Sequence, residues 1–413
     1  MDRREFLARG GGLVLGASLA GCAGPRLAEG EPHAGGSGGP AAAPGGVGAL
    51  TLFLAGDVMT GRGIDQVLPH SVDPRLHEPH VLDARTYVAL AERANGPIPD
   101  RAHYGYPWGE ALGELRRVRP HARIVNLETA VTTSDDWWRG KAIHYRMHPG
   151  NVPVLTAAGL DVCVLGNNHV MDWGGAGLRE TLRTLRRAGL RTPGAGEDRE
   201  EAEAPAAVGT SAGRLLVFSY GSPTAGVPPG WRAGEGEPGV NFLPELGAGG
   251  AREVIEHVRA HRREGDRVVV SIHWGGNWGY EVPPPQRDFA HRLVDAGAAD
   301  VVHGHSSHHP KGIEVYRGRL ILYGAGDFLN DYEGIEGHET FRGDLTLMYF
   351  PTLDRSGALV SLEMAPMRIR RFRLQRASRE EARWLQTMLD RESRRFGARV
   401  EATPTGRLAL HRE

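Results

Sequence analysis

Five short apolar runs in this chain each stop at residues able to bind a metal ion or move a proton, and this repetition limits the folds open to it. Leu50–Ala55 runs into Gly56-Asp57, and Ala122–Glu128 closes on Asn126 and Glu128. Asp161–Leu165 opens into Gly166-Asn167-Asn168-His169, Arg267–Ile272 ends at His273, and Asp300-Val301-Val302 leads into His303-Gly304-His305. Runs of this length and composition read as buried strands. A strand carries residues i and i+2 on one face, so His303 and His305 project together, and Gly304 between them lets the backbone pass close to whatever they hold. Segments with helical periodicity lie between the runs. Ala111, Leu112, Leu115 and Val118 share one face, Leu178, Leu182 and Leu185 another, and Ala251–Arg263 and Gln286–Ala296 follow the same pattern. Alternating strands and helices specify an α/β fold. Ligands bind such sheets beyond the carboxyl ends of the strands, so residues far apart in sequence can meet there.

Composition removes other possibilities. With 413 residues the chain suits one large α/β domain or two smaller ones. Forty-nine basic residues against fifty acidic ones leave no electrostatic footprint for nucleic acid. Two cysteines, Cys22 and Cys163, exclude a disulfide framework, and Cys163, inside an apolar run, reads as a small buried hydrophobe. Nearly every basic residue is arginine; the two lysines are Lys141 and Lys311.

The amino terminus reads as an address. Arg3-Arg4-Glu5-Phe6-Leu7 resembles a twin-arginine export signal, and the apolar run Leu13–Leu19 is too short to span a bilayer. Leu19-Ala20-Gly21-Cys22 resembles a lipobox, which implies acylation of Cys22. The expected organisation is a signal over 1–22, a flexible Gly/Pro/Ala-rich tether over 23–49, a globular α/β domain over 50–375, and a C-terminal helix and tail over 376–413. Ser378 and Glu381 form the capping box of that helix. The expected location is the cell envelope, as an exported lipoprotein anchored to the membrane.

Carboxylates, amide oxygens and imidazoles at the strand ends suit a borderline divalent metal such as zinc, manganese or iron. Two such ions sharing a carboxylate support hydrolysis, and a histidine beside them can protonate the leaving group. Residues 221–249, containing Trp231, read as a loop lining the site. Trp274, Trp278 and Tyr280 read either as an aromatic wall against a polymer or sugar or as ordinary loop packing. His308 and His309 are expected to be exposed loop histidines, and Arg139, Lys141 and Arg146 a solvated surface.

Gly56-Asp57-Val58-Met59, Asn126-Leu127-Glu128, Gly166-Asn167-Asn168-His169-Val170-Met171-Asp172 and Val302-His303-Gly304-His305 together resemble the signatures of the CapA family of capsule, or poly-γ-glutamate, synthesis proteins. That family lies within the calcineurin-like metallophosphoesterases. The resemblance covers about residues 50 to 335 and implies a four-layer α/β/β/α sandwich with its site at the rim. It implies two divalent ions (Mn, Zn or Fe) on Asp57, Glu128, Asn168, His273, His303 and His305, with His169 as the proton donor. Asn126, Trp274 and Asp327 would stand behind these or against substrate. Three positions depart from the pattern. Met59 stands where the wider superfamily has a histidine ligand, Glu128 replaces a bridging aspartate, and Asp327 stands where CapA-like proteins tend to show asparagine. The implied partners are an anionic cell-envelope polymer or a phosphoester, the membrane through a lipid anchor, and a membrane-bound synthase. The implied activity is metal-dependent hydrolysis, with a non-catalytic polymer-handling subunit and a general periplasmic phosphoesterase as the rival readings.

Overall fold

The side-chain alternation of the central strands shows how the layers stack. The computed structural model describes residues 48–412, so the expected export signal, the expected lipidation site at Cys22 and nearly all of the expected tether lie outside the described residues. In the strand Leu50–Val58, Leu50, Leu52 and Leu54 enter one core, while Phe53 and Ala55 enter another. Arg267–His273 and Val301–His305 divide in the same way: Val269 and Val301 face the first of these cores, and Val268, Val270, Ile272 and Val302 face a third. Strands apolar on both faces must be covered on both. The shared core lies between two sheets, and each outer core is closed by helices. The result is the four-layer α/β/β/α sandwich.

The larger sheet has nine strands, with Leu50–Val58 between Ala122–Leu127 and Leu345–Leu353. Leu50–Val58, Ala122–Leu127 and Val162–Val164 run parallel. The second sheet has six strands, and Gly213–Gly221, Arg267–His273, Val301–His305 and Arg319–Leu322 are parallel within it. The helices Ala248–His261 and Pro284–Asp295 make two of its crossovers and bury Val254, Val258, Phe289 and Leu293 on its outer face. Ile313–Tyr316 and Arg319–Leu322 form the hairpin expected about Arg317-Gly318.

The end of the chain differs from expectation. Residues after the helix Arg379–Arg394 are not a tail: Ala398–Ala402 and Leu408–Arg412 pair with each other and extend the larger sheet beside Leu359–Ile369. The capping box on Ser378 and Glu381 forms as read.

One irregularity positions the site. Leu50–Val58 slips register against Ala122–Leu127 between Ala55 and Asp57, so that Asp57, rather than Gly56, stands opposite Asn126. Gly56 is the extra residue of this bulge. A Cβ there would lie 1.9 Å from the carbonyl oxygen of Gly326, so only glycine fits without moving the backbone. The slip turns Asp57 out of the helix-facing series of Phe53 and Ala55 and towards the space between the sheets. The pairing with Leu345–Leu353 reaches Leu54; beyond it Asp327–Leu329 takes over that edge in parallel, with Asp327 in register with Asp57.

Candidate metal centre

The polar residues at the carboxyl ends continue the face that lower down packs sheet on sheet. His273 has the parity of Val269 and Ser271, His305 that of Val301 and His303, and Asn126 that of Ile124, so all point into the gap between the sheets. His273 and His305 are also register partners across the parallel pair. Gly304, of opposite parity, passes close beneath Trp274, whose indole would lie 2.4 Å from a Cβ there.

Ligand atoms of Asp57, His273 and His305 lie within 4.8 Å of one another, and all three residues are buried. The Nδ1 atoms of His273 and His305 are 2.8 Å apart, and His305 Nδ1 is 3.8 Å from Asp57 Oδ1. His273 Nε2 donates to Asn168 Oδ1 at 3.1 Å. In a neutral ring this leaves the Nδ1 lone pair facing His305 and Asp57. Burial holds both imidazoles well below the usual histidine pKa, so they are neutral donors of lone pairs. Asn126 Nδ2 and the Ser306 amide donate to the two oxygens of Asp57, at 2.7 and 3.1 Å. Burial, with the charge of Asp327 adding to it, still pushes the Asp57 carboxyl well above its ordinary range.

The other expected ligands occupy distinct places. Glu128 Oε1 is 3.6 Å from His273 Nε2 and 3.7 Å from His169 Nε2. Its Oε2 is buried with no hydrogen-bond donor among the described residues, and its charged form is disfavoured first by burial and then by Asp57 and Asp327. Asn168 reaches the centre through His273. His303 lies one pleat deeper, its Nδ1 sharing Ser271 Oγ with His305 Nε2, both at 3.0 Å. Asn126 and Asn167 form a rigid support: Asn167 Nδ2 donates to Asn126 Oδ1 and Leu127 O, while its Oδ1 accepts from the His169 and Val170 amides.

His169 stands at the edge of the cluster. Its Nδ1 is 2.6 Å from Asp172 Oδ2, which orients Nε2 towards Glu128. Lys141 is not solvated surface: its ammonium lies 2.5 Å from Asp172 Oδ1, 3.2 Å from His169 Nδ1 and 5.1 Å from the Trp231 ring, and it also donates to Asn168 O. Burial pushes the Asp172 carboxyl up, and the Lys141 charge pulls it back. Trp231 is fully buried, so the 221–249 loop reaches the site through that cation contact. Arg146 is likewise buried, stacked over Trp173 and paired with Asp135.

The expectation for two loop histidines is corrected, and the aromatic residues follow the packing alternative. His308 and His309 are buried, not exposed. His308 Nδ1 is 2.8 Å from Asp327 Oδ1, and His309 Nε2 accepts from the Gly279 amide. Asp57, His308 and Asp327 form a second set whose ligand atoms lie within 4.8 Å of one another. Trp274 forms no wall: its indole donates to Tyr323 O and packs on Phe289, away from the cluster. Trp278 stacks on His338 instead. For Lys141 the sequence offers only its rarity, as one of two lysines, and nothing on where its side chain goes. His308 had only its place three residues after His305.

Residues 51–332 match the family described as "Bacterial capsule synthesis protein PGA_cap". The chain belongs to this family. Among relatives of the PGA_cap chain, a "Probable polyglutamine synthesis accessory protein" of Mycobacterium tuberculosis is 47% identical over 364 residues, covering 87% of this chain and 96% of that protein. The "PGA biosynthesis protein CapA" of Bacillus subtilis is 30% identical over 208 residues, covering 50% of this chain and 52% of its own. The "Capsule biosynthesis protein CapA" of Bacillus anthracis is 28% identical over 192 residues, covering 46% and 45%.

Proposed function

We propose that this PGA_cap chain is an exported, membrane-anchored accessory protein for an anionic envelope polymer of the poly-γ-glutamate type, acting through a metal-dependent hydrolytic centre. The observation that carries the reading is the convergence of Asp57, His273 and His305 on one buried point. The donor set fits a divalent cation. The His273 Nδ1 lone pair faces another imidazole nitrogen at 2.8 Å and the Asn126 amide nitrogen only at 3.5 Å, and Glu128 Oε2 is a buried acceptor without a donor among the described residues. A buried carboxylate is costly unless a cation or hydrogen bonds compensate it. Asp57, His273 and His305 would hold the ion, with Glu128 and Asn168 beside it. Bound there, a divalent cation supplies Lewis-acid polarisation of an acyl or phosphoryl oxygen and lowers the pKa of water.

The chain's own residues supply the rest. Asp172 holds the Nδ1 proton of His169, so Nε2 faces the site and can hand a proton to a leaving group. Lys141 balances the charge on Asp172 and fixes the carboxylate's orientation. Asn126 and Ser306 hold Asp57 in one rotamer. The rival reading, a polymer-handling subunit without turnover, is favoured by Met59, which offers a buried thioether to the Tyr332 hydroxyl rather than an imidazole to the centre.

The test is bound metal on the full chain, followed by turnover of a generic phosphodiester and of poly-γ-glutamate, with Asp57→Asn and His305→Ala alongside. Metal-dependent turnover lost in both variants supports the hydrolase. Stoichiometric metal with no turnover on either substrate supports the polymer-handling subunit, and turnover surviving both substitutions removes the proposed centre.

A further inference from the structure

We propose that the end of the sandwich opposite the metal centre is a docking face for an anionic lipid bilayer, built from arginines at the amino ends of the strands. This inference rests on the reading of the chain as membrane-anchored, because it puts the lipid at the end where the chain enters the fold.

Helices that connect parallel strands run back against them, so their carboxyl ends gather where the next strands begin. The helix Ala111–Val118 ends before Ala122–Leu127, Ala248–His261 before Arg267–His273, and Pro284–Asp295 before Val301–His305. The helix Gly174–Arg187 returns to the same end, where Arg191 bridges to Val162 at the start of its strand. Both sheets share this end: the Arg267 guanidinium donates to Gly48 O, just ahead of Leu50–Val58. The hairpin tip after Leu353 lies there too, since Leu353 pairs with Leu50.

Arginines collect at these turns. Arg119, Arg187, Arg191, Arg259, Arg263 and Arg355 are exposed, and among the described residues none forms an ion pair or a side-chain hydrogen bond. Attraction to the negative carboxyl end of a helix accounts for an arginine in a last turn, such as Arg187 or Arg259. It does not account for Arg191, four residues past its helix, or for Arg355 in a strand-to-strand hairpin. Most carboxylates at this end are engaged: Asp266 with Arg214, Asp295 with Arg317, and Asp300 with Arg262 and Arg319. Asp161 and Asp354 accept backbone amides, and Glu264 is the exposed carboxylate left over. The whole chain has a net charge of −1, so the excess at this end is one of placement, not of composition.

The arrangement selects the partner. The arginines belong to both sheets and to the helical layers on both outer faces, which suits a plane of phosphates better than one bound anion. Guanidinium groups pair with phosphate oxygens two at a time. A polymer acted on by the metal centre has to reach the other end, and the nine residues of Leu50–Val58 set the two ends roughly 25–30 Å apart. A bilayer on the arginine face leaves Asp57, His273 and His305 on the side turned away from it, open to an envelope polymer.

The experiment uses the full chain with Cys22→Ser, which removes the thiol that acylation needs, in co-sedimentation with phosphatidylglycerol–phosphatidylcholine vesicles. Binding is expected at low salt, to weaken as salt rises, and to be lost on pure phosphatidylcholine. Combining Arg119→Gln, Arg191→Gln, Arg263→Gln and Arg355→Gln is expected to weaken binding on the order of 100-fold or more, at roughly fivefold per arginine. Arg252→Gln with Arg370→Gln, at exposed arginines of the opposite end, should leave it unchanged. The first residues of the chain are the same in every variant, so the difference reads the arginine face. Circular dichroism checks folding; if the fourfold variant does not fold, Arg191→Gln with Arg355→Gln decides, with a loss of roughly 25-fold expected. Equal binding by the folded fourfold variant, or no binding of the parent to anionic vesicles, would overturn the docking face. Arginine-dependent binding to soluble poly-γ-glutamate with none to vesicles would overturn it in favour of a polymer site. A wild-type chain whose Cys22 carries no acyl group in its host would overturn the anchor alone, and arginine-dependent vesicle binding would still support the face.

Discussion

Gly56→Ala tests the link between the fold and the centre, because the bulge that aims Asp57 exists only if residue 56 has no side chain. The new methyl would lie 1.9 Å from Gly326 O, against an ordinary carbon–oxygen contact of about 3.3 Å. The Gly326 carbonyl must therefore retreat by more than ~1 Å. Its partner is the Asp57 amide, and the next bond along is Met59 N to Leu329 O at 2.8 Å. Overpacking of this kind costs about 1–3 kcal/mol, and two weakened backbone bonds add about 1 kcal/mol each. The expected loss is about 3–5 kcal/mol, or roughly 4–8 °C in Tm for a chain of this length. Divalent-metal affinity is expected to fall on the order of 10-fold or more, since Asp57 and Asp327 both move. Gly276→Ala is the control: nothing lies within 4 Å of a Cβ there, and its effect should stay within about 0.5 kcal/mol. Differential scanning calorimetry and Mn²⁺ titration read both quantities. A Gly56→Ala protein with wild-type Tm and wild-type metal affinity would refute the claim that this bulge sets the site.

Metal binding should strengthen with rising pH and release protons. Burial raises Asp57 and Glu128, so the metal-free fold holds protons there that the unfolded chain would give up; stability from these groups is present at low pH and lost as pH rises above the ordinary carboxylate range. The Tm gap between loaded and metal-free protein should thus widen from pH 5 to pH 8, and calorimetry in two buffers of different ionisation enthalpy that shows no proton release would contradict this. Lys141→Met should cost about 3 kcal/mol by leaving Asp172 buried without its cation, and Asp172→Asn in that background should recover part of the loss in urea unfolding. Additive costs for the two substitutions would show that the pair is not coupled. Ser378→Ala should cost about 1 kcal/mol by removing the capping-box acceptor for the Glu381 amide, visible as a drop of roughly 1–2 °C in Tm with metal binding unchanged.

Much of the centre was legible from residues alone because strands obey a period of two. Once Val301 faces inward, His303 and His305 must do so too, and the same rule carries Ser271 and His273 behind Val269. The helices followed from their apolar stripes for the same kind of reason. His308, Lys141 and the C-terminal hairpin escape such a reading because nothing local distinguishes a buried loop histidine, a half-buried lysine or two short polar strands from exposed ones. Their burial comes from segments far away in sequence: Asp327 for His308, Asp172 and Trp231 for Lys141, and Leu359–Ile369 for the hairpin.

Sequence by itself determined the strand–helix alternation, the face each strand presents and the residue types at the strand ends, because these depend on periodicity and on chemistry carried by single residues. Tertiary structure alone decided that Gly56 is extra, that Asp327 lies in register with Asp57, and that Glu128 keeps an oxygen without a donor among the described residues. Those facts depend on how one strand slips against another and on what a third brings alongside. No pattern within a strand encodes such distances between strands.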